Sequence, residues 1–190
     1  MSTHSKKVAD KFCDSCKWLH QSWQTRKYLF DENPSIDSLK KPHYADFFLR
    51  LNVILQEYWI QQLAKLHDPA VQYGHKNLSI DYMIDCGQWD AQTKAELSAL
   101  RAKMTHFETK LREARNKIIS HNDLSTILQM TDFGKFNQGD DVEYFNHLYK
   151  FASIVSQRVL GKIFLYDDLV KNDVQFFMSA FERGSIVTRR

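Results

Sequence analysis

Residues 97–121 read LSALRAKMTHFETKLREARNKIISH, and this stretch decides the fold class of the chain. Its large apolar residues recur at alternating spacings of three and four, which places them on one side of an α-helix. Such a repeat predicts a long helix that packs against other helices along its length. The residues of this seam are Leu97, Leu100, Met104, Phe107, Leu111, Ala114 and Ile118.

The helix that carries the seam is predicted to begin after Asp90 and to reach about His121. Aspartate is a favoured N-cap, because its carboxylate accepts a hydrogen bond from a backbone N–H of the first turn. Asn122 and Asp123 can end the helix, since their short side chains bind nearby backbone groups. The element is predicted to be the longest regular one in the chain.

Helical periodicity also marks the sequence before this element. A first helix is predicted over about 6–30 and a second from about Pro42 to 66, where proline suits a first helical turn. The second has apolar residues on several faces, which predicts a central, heavily buried helix. A short helix follows, capped by Asn77 or Ser79.

Two further helices are predicted after the long one. Asp140 resembles an N-cap with Glu143 as its reciprocal partner, and the apolar face of that helix extends to Ile163. A last helix spans about 167–181, and a loose tail is predicted at 184–190. We find no internal repeat and no convincing strand pair.

The predicted fold class is all-α, an antiparallel bundle of about five or six helices. A chain of 190 residues fits one domain, predicted over 1–190 with its core at about 6–182. The apolar fraction of 43% and the charged fraction of 26% are ordinary for a globular protein. No apolar run approaches the ~18 residues of a membrane span, and residues 1–12 lack the apolar core of a signal peptide. We therefore expect a cytoplasmic protein without a membrane partner.

The three cysteines make an odd count without an export signal, which favours free thiols. Cys13, Cys16 and His20 follow a C-x2-C-x3-H spacing, and zinc would need a fourth ligand such as Cys86. Cys16 lies in the apolar stripe of the first helix, however, and there is no second C-x2-C. The sequence therefore predicts no metal site and no cofactor.

Arg115 and His121 are the residues in this chain best suited to phosphodiester chemistry. A guanidinium binds phosphate with a fork of donors, and an imidazole exchanges protons near neutral pH. On an ideal helix the two lie at opposite edges of the seam, ~9 Å apart along the axis. Asn116 is the third candidate. On an ideal helix with Leu111 at 0°, it lies at ~140° and points away from the seam. The structural alternative is that Arg115 pairs with a carboxylate and His121 caps the helix.

Basic residues accumulate towards this end of the long helix. Six basic and two acidic residues lie between Arg101 and Lys117, although the net charge of the whole chain is only +3. Lys110, Arg112 and Lys117 are therefore candidates for contact with a nucleic-acid backbone. The alternative for each of them is a solvated surface position.

Residues 111–123 resemble the signature of the HEPN superfamily, an arginine followed directly by a polar residue and, four to six residues further on, a histidine. Here the pattern reads R-N-x4-H. The surrounding sequence resembles the AbiU-type abortive-infection branch of the superfamily over about residues 10–160. The segments that carry this likeness are 28–30, 43–48, 63–69 and 77–80.

The resemblance implies a helical bundle and a ribonuclease. In HEPN proteins the motif helices of two subunits meet across a two-fold axis, and the shared cleft cuts RNA without a metal. Arg115 would then bind the scissile phosphate, His121 would act as acid and base, and Asn116 would orient the phosphate or its neighbour. The products would be a 2′,3′-cyclic phosphate and a 5′-hydroxyl.

The implied partners are single-stranded RNA, a second copy of the chain and a nucleotidyltransferase-like antitoxin, in a toxin or phage-defence role. Two alternatives stay open at this point. The first is a helical module that dimerises or binds RNA without cutting it. The second is a helical bundle whose Arg115 holds another anion.

Overall fold

The structure, a computed structural model, describes residues 3–116, 137–166 and 169–187. This described part of the chain contains seven α-helices and one two-stranded hairpin, so the predicted all-α class is confirmed. The helices are α1 Thr3–Arg26, α2 Ile36–Leu39, α3 Ala45–Leu66, α4 Ile80–Cys86, α5 Ala91–Ala114, α6 Asp140–Val155 and α7 Leu169–Val187. The strands are β1 Val71–Gln72 and β2 His75–Lys76.

Contacts within the chain group the described residues into two compact units. The first contains 3–18, 60–116 and 137–166, and the second contains 19–59 and 169–187. The division falls within α1 and within α3. That 1–190 forms a single domain stays a prediction.

The first unit is built around α5 and α6, which pack against each other. The predicted seam of α5 is buried at every described position from Leu97 to Leu111, while Ile118 lies outside the described residues. Phe107 of α5 meets Tyr144 of α6 with ring centroids 5.1 Å apart, and Phe12 of α1 meets Phe151 at 5.7 Å. These contacts fix the helix that carries the candidate motif.

The second unit has its own apolar core. Phe48 of α3 and Phe181 of α7 pack edge to face with ring centroids 5.4 Å apart. Ser38 Oγ donates to Glu182 Oε1 at 3.0 Å, which joins α2 to α7. The buried residues of this core are Leu29, Leu39, Phe48, Val174 and Met178.

Several helix boundaries differ from the sequence prediction. Asp90 does cap α5, since its Oδ1 accepts from the Thr93 N–H at 2.7 Å, and Ser79 caps α4 through the Tyr82 N–H. The N-cap of α6 is Gly139 rather than Asp140, at a positive φ of 97° that glycine adopts without strain. The last helix extends to Val187, so the predicted loose tail is wrong at 184–187.

Three larger expectations were wrong. The hairpin of β1 and β2 was missed, because two residues per strand are too few for an alternating pattern. Helix α3 is not buried on all sides: Phe47 is 57% exposed, and Ile54 and Tyr58 on the same stripe are also exposed. Ile163 is 86% exposed, because a π-helical turn and Gly161 at φ 66° end the helix before it.

Candidate active site

Helix α5 leads directly into Arg115 and Asn116, the first two residues of the candidate motif. The helix is regular from Ala91 to Ala114, and Arg115 and Asn116 then continue it in a π-helical conformation. A π turn contains more residues than an α turn and so rotates each side chain less about the axis. The ideal-helix angle predicted for Asn116 therefore does not apply at this end.

Arg115 and Asn116 contact each other. Arg115 Nη1 donates to Asn116 Oδ1 at 2.9 Å, and both residues are half-buried. The structure thus brings together two of the three predicted catalytic residues. The third, His121, lies outside the described residues, as does Lys117.

Arg112, one turn earlier, has protein acceptors on several sides. Its Nε donates to Glu108 Oε1 and its Nη2 donates to the carbonyl oxygen of His67 at 2.7 Å. Its Nη1 lies 3.8 Å from Asp68 Oδ1. Arg112 therefore fastens α5 to the C-terminal end of α3, where unpaired carbonyls need donors. RNA binding by Arg112 stays a prediction, but much of the guanidinium is already engaged.

Glu108 supplies the anion that holds this arginine. The residue is only 4% exposed, and a buried carboxylate is costly unless it is paired and hydrogen-bonded. Arg112 provides both, in a charge-assisted contact. The pair is therefore a structural requirement of the helix that leads to Arg115.

His67 and Tyr144 complete the buried polar network that includes Glu108 and Arg112. His67 Nε2 lies 2.9 Å from the Tyr144 hydroxyl, and His67 is 2% exposed. Burial, together with the positive charges of Arg101 and Arg112, lowers the pKa of His67 well below its usual value. A neutral, enclosed imidazole is placed to support the fold rather than to exchange protons with a substrate.

Lys110 lies on the other side of the same helix end. Its Nζ is 3.7 Å from Asp140 Oδ2 at the start of α6, and both side chains are half-buried. An ion pair at this distance and exposure is weak. The ammonium of Lys110 therefore keeps donors for another anion, in contrast to the guanidinium of Arg112.

Two of the three cysteines are buried within the first unit. Cys13 and Cys16 are buried free thiols, and Cys13 Sγ lies 3.8 Å from the carbonyl oxygen of Ala152. Burial raises the pKa of Cys13 to about 12 and that of Cys16 well above its usual value. Zinc binds thiolate, so a metal bound here would have to displace the protons that burial holds on both sulfur atoms. Within the described ranges, no group of three or more potential metal ligands is gathered.

One contact of this network has a signal in the local sequence. The spacing of Glu108 and Arg112 is that of an i, i+4 pair on one helix face, which favours an ion pair. Nothing local indicates that the His67 carbonyl and Asp68 meet the same guanidinium. That contact depends on α3 and α5 packing together.

The fold and the candidate site together define a helical protein with an arginine–asparagine pair directly after α5. The family model HEPN AbiU2, described as AbiU2, matches residues 3–177. The chain therefore belongs to the AbiU2 family of the HEPN superfamily, which confirms the resemblance predicted from the sequence. Such domains are often related to abortive infection, and they commonly dimerise and bind RNA.

No curated protein and no solved structure matches the chain. No helix in the described part of the molecule has the length and apolar character that crossing a lipid bilayer requires.

Proposed function

We propose that this protein is a metal-independent endoribonuclease that cuts single-stranded RNA in a cleft shared by two copies of the chain. The observation that carries the proposal is the Arg115–Asn116 contact at the end of α5, in a member of a HEPN family. One donor of the Arg115 fork binds the Asn116 amide, and no acidic side chain within the described residues pairs with it. The remaining donors are available for a phosphate.

The chemistry would be an in-line transesterification. The ribose 2′-oxygen attacks the adjacent phosphorus, the bond from phosphorus to the 5′-oxygen breaks, and a 2′,3′-cyclic phosphate and a 5′-hydroxyl result. His121 would accept the proton of the 2′-hydroxyl or deliver a proton to the departing 5′-oxygen. Arg115 would stabilise the charge that develops on the non-bridging oxygens, and Asn116 would hold the guanidinium in place.

The sequence spacing supports a shared cleft. On an ideal α-helix, six positions between Arg115 and His121 would correspond to ~9 Å of rise, which is long for two groups that act on one phosphate. Two antiparallel copies of the motif helix would place two arginines and two histidines around the linkage. One histidine could then act as base while the other acts as acid.

The proposed biological role is that of a toxin or phage-defence effector in the cytoplasm. An enzyme that cuts RNA without a cofactor needs restraint, which a nucleotidyltransferase-like antitoxin would supply. Lys110 and Lys117 would contact phosphates of the RNA backbone, and Arg112 would contribute less because its guanidinium is already engaged.

The decisive experiment incubates the purified chain with end-labelled single-stranded RNA in excess EDTA. Cleavage that persists in EDTA and is lost in both Arg115→Ala and His121→Ala supports the proposal. Arg50→Ala and His106→Ala remove an exposed arginine and an exposed histidine elsewhere and serve as matched controls. Mapping the products should find a cyclic phosphate on one side and a 5′-hydroxyl on the other.

Other results of these experiments would change the proposed function or test its separate parts. RNA that is bound but not cut, with binding lost in Arg115→Ala, identifies the non-catalytic dimerisation or RNA-binding module. A strict monomer in light scattering at micromolar concentration contradicts the shared cleft. Growth arrest on expression that His121→Ala relieves would support the toxin role.

A further inference from the structure

We propose that a groove on the first unit, apart from the motif, holds the RNA strand that flanks the cut linkage. The groove lies between residues 4–18 of α1, the end of α3 and the segment from β2 to α4. This inference rests on the proposed ribonuclease function, because it assigns the substrate a second binding surface. We name it the lysine groove after its lining, which includes Lys7, Lys11, Lys65, Lys76, Trp18 and Tyr82.

The lysine groove is large enough for part of a polymer. It consists of two hollows of about 640 and 440 Å³. Their linings share Lys11, Lys76, Asn77 and Leu78, so the two hollows adjoin each other. Along α1 the lining extends from His4 to Trp18, or ~21 Å of helix rise. A small ligand would occupy a fraction of this length, whereas an extended strand would follow it.

The charge of the groove is suited to a polyanion. Two acidic residues lie in its wall, and each faces a cation: Asp14 is 3.1 Å from Lys11, and Asp68 is 3.8 Å from Arg112. Lys7, Lys65 and Lys76 are exposed, and none has a carboxylate within ion-pair distance among the described residues. Three ammonium groups are thus left to meet phosphates of a strand.

Aromatic rings accompany these charges. Trp18 is 55% exposed at one end of the groove, and Tyr82 lines the other hollow. Proteins that bind single strands combine a cationic groove with rings on which bases stack. This combination favours single-stranded nucleic acid over an acidic protein segment, which has no bases to stack.

The groove is connected to the motif through Arg112. Asp68 lines the groove and faces the Arg112 guanidinium, which also binds the His67 carbonyl. Arg115 follows Arg112 by three positions on the same helix end, or ~4.5 Å of rise. A strand held in the groove therefore lies near the arginine that we propose binds the scissile phosphate.

The test measures RNA binding separately from cleavage. The parent for all variants is the full chain with His121→Ala, titrated into fluorescein-labelled single-stranded RNA and followed by anisotropy at several salt concentrations. Adding Lys7→Gln, Lys65→Gln and Lys76→Gln together should weaken binding about tenfold or more. It should also reduce the slope of log affinity against log salt by about 2, because three phosphate contacts are lost.

A matched variant controls for charge. Lys94→Gln, Lys103→Gln and Lys150→Gln remove three exposed lysines of the same unit that do not line the groove. This control should leave the salt slope almost unchanged. Trp18→Ala should weaken binding at least about fivefold, and Trp18→Tyr should restore most of it, since the ring and not the bulk is required.

The outcomes separate the two proposals. Equal losses in the groove variant and the control, or no loss in either, overturn the lysine groove. Cleavage by the unmodified chain is measured independently: if it cuts RNA while the groove variant binds normally, the groove alone is overturned. If RNA binding depends on the groove but the unmodified chain does not cut, the ribonuclease assignment is overturned and the groove stands.

Discussion

Arg112 and Arg115 lie three residues apart on the same helix end, but their guanidinium groups have different surroundings. Arg112 contacts the buried carboxylate of Glu108, the carbonyl of His67 and the edge of Asp68. Arg115 contacts the amide of Asn116, and no carboxylate within the described residues pairs with it. The first arginine is committed to holding two helices together, and the second keeps donors for an external anion. Residue type alone would not distinguish these tasks.

The largest expected effect is the loss of activity in Arg115→Ala. We expect kcat/KM for RNA cleavage to fall by ~10²–10³, the usual cost of losing a donor to a developing oxyanion. The free energy of unfolding should change by less than ~0.5 kcal/mol, because the side chain supports little else. Arg115→Lys should recover only part of the activity, since an ammonium lacks the planar fork. Cleavage kinetics and urea unfolding on the same samples check both parts.

Arg112→Ala should show the opposite behaviour. Removing the guanidinium leaves Glu108 buried without its cation, and we expect a loss of ~2 kcal/mol after allowance for the partial exposure of Arg112. The readout is the free energy of unfolding in urea. The double variant Glu108→Gln with Arg112→Met should regain part of the loss, because it removes both charges. If Arg112→Ala is as stable as the unmodified chain while Arg115→Ala is destabilised, the structural role belongs to Arg115 and the comparison is contradicted.

The free energy of unfolding should also depend on pH, through His67 beside Arg112. His67 has a lowered pKa in the folded chain, owing to burial and to the charges of Arg101 and Arg112. Below about pH 6.5 the unfolded chain binds a proton at this histidine and the folded chain does not. The contribution of His67 to the free energy of unfolding should therefore be complete above that pH. Below it, the free energy of unfolding should fall by up to ~1.4 kcal/mol per pH unit. In His67→Gln, urea unfolding at pH 7.5, 6.5 and 5.5 should show a shallower decline.

The smallest expected effect belongs to Asn116. Its amide orients the Arg115 guanidinium through one hydrogen bond, which is worth ~1 kcal/mol or less. Asn116→Ala should therefore slow cleavage only about threefold and leave the unfolding midpoint unchanged. Asn146→Ala, at an exposed position of α6, is the matched control. A loss as large as that of Arg115→Ala would mean that the asparagine itself touches the substrate.

The sequence predicted those parts of the structure that depend on neighbours along the chain. The seam of α5 and its Asp90 cap are local features, since periodicity and a first-turn hydrogen bond involve residues a few positions apart. The missed contacts join distant segments. The bond from Arg112 to the His67 carbonyl depends on how α3 and α5 meet, and no local pattern encodes it.

The candidate site was predictable in its residue types but not in its geometry. The R-N-x4-H spacing marked Arg115 and Asn116 as candidates, yet an ideal helix placed their side chains apart. The π-helical conformation at these residues accompanies a direct contact between them. The lysine groove that we propose was not predicted from the sequence, because Lys7, Lys65 and Lys76 are scattered along the chain and form no local charge cluster.

The burial of two cysteines has a practical consequence. Cys13 and Cys16 are enclosed and hold their protons, whereas Cys86 is exposed on the surface at the end of α4. A maleimide reagent at neutral pH should therefore attach one reporter to the unmodified chain, at Cys86. In a pair of chains, two nitroxide spin labels introduced this way would provide a distance across the assembly without any substitution.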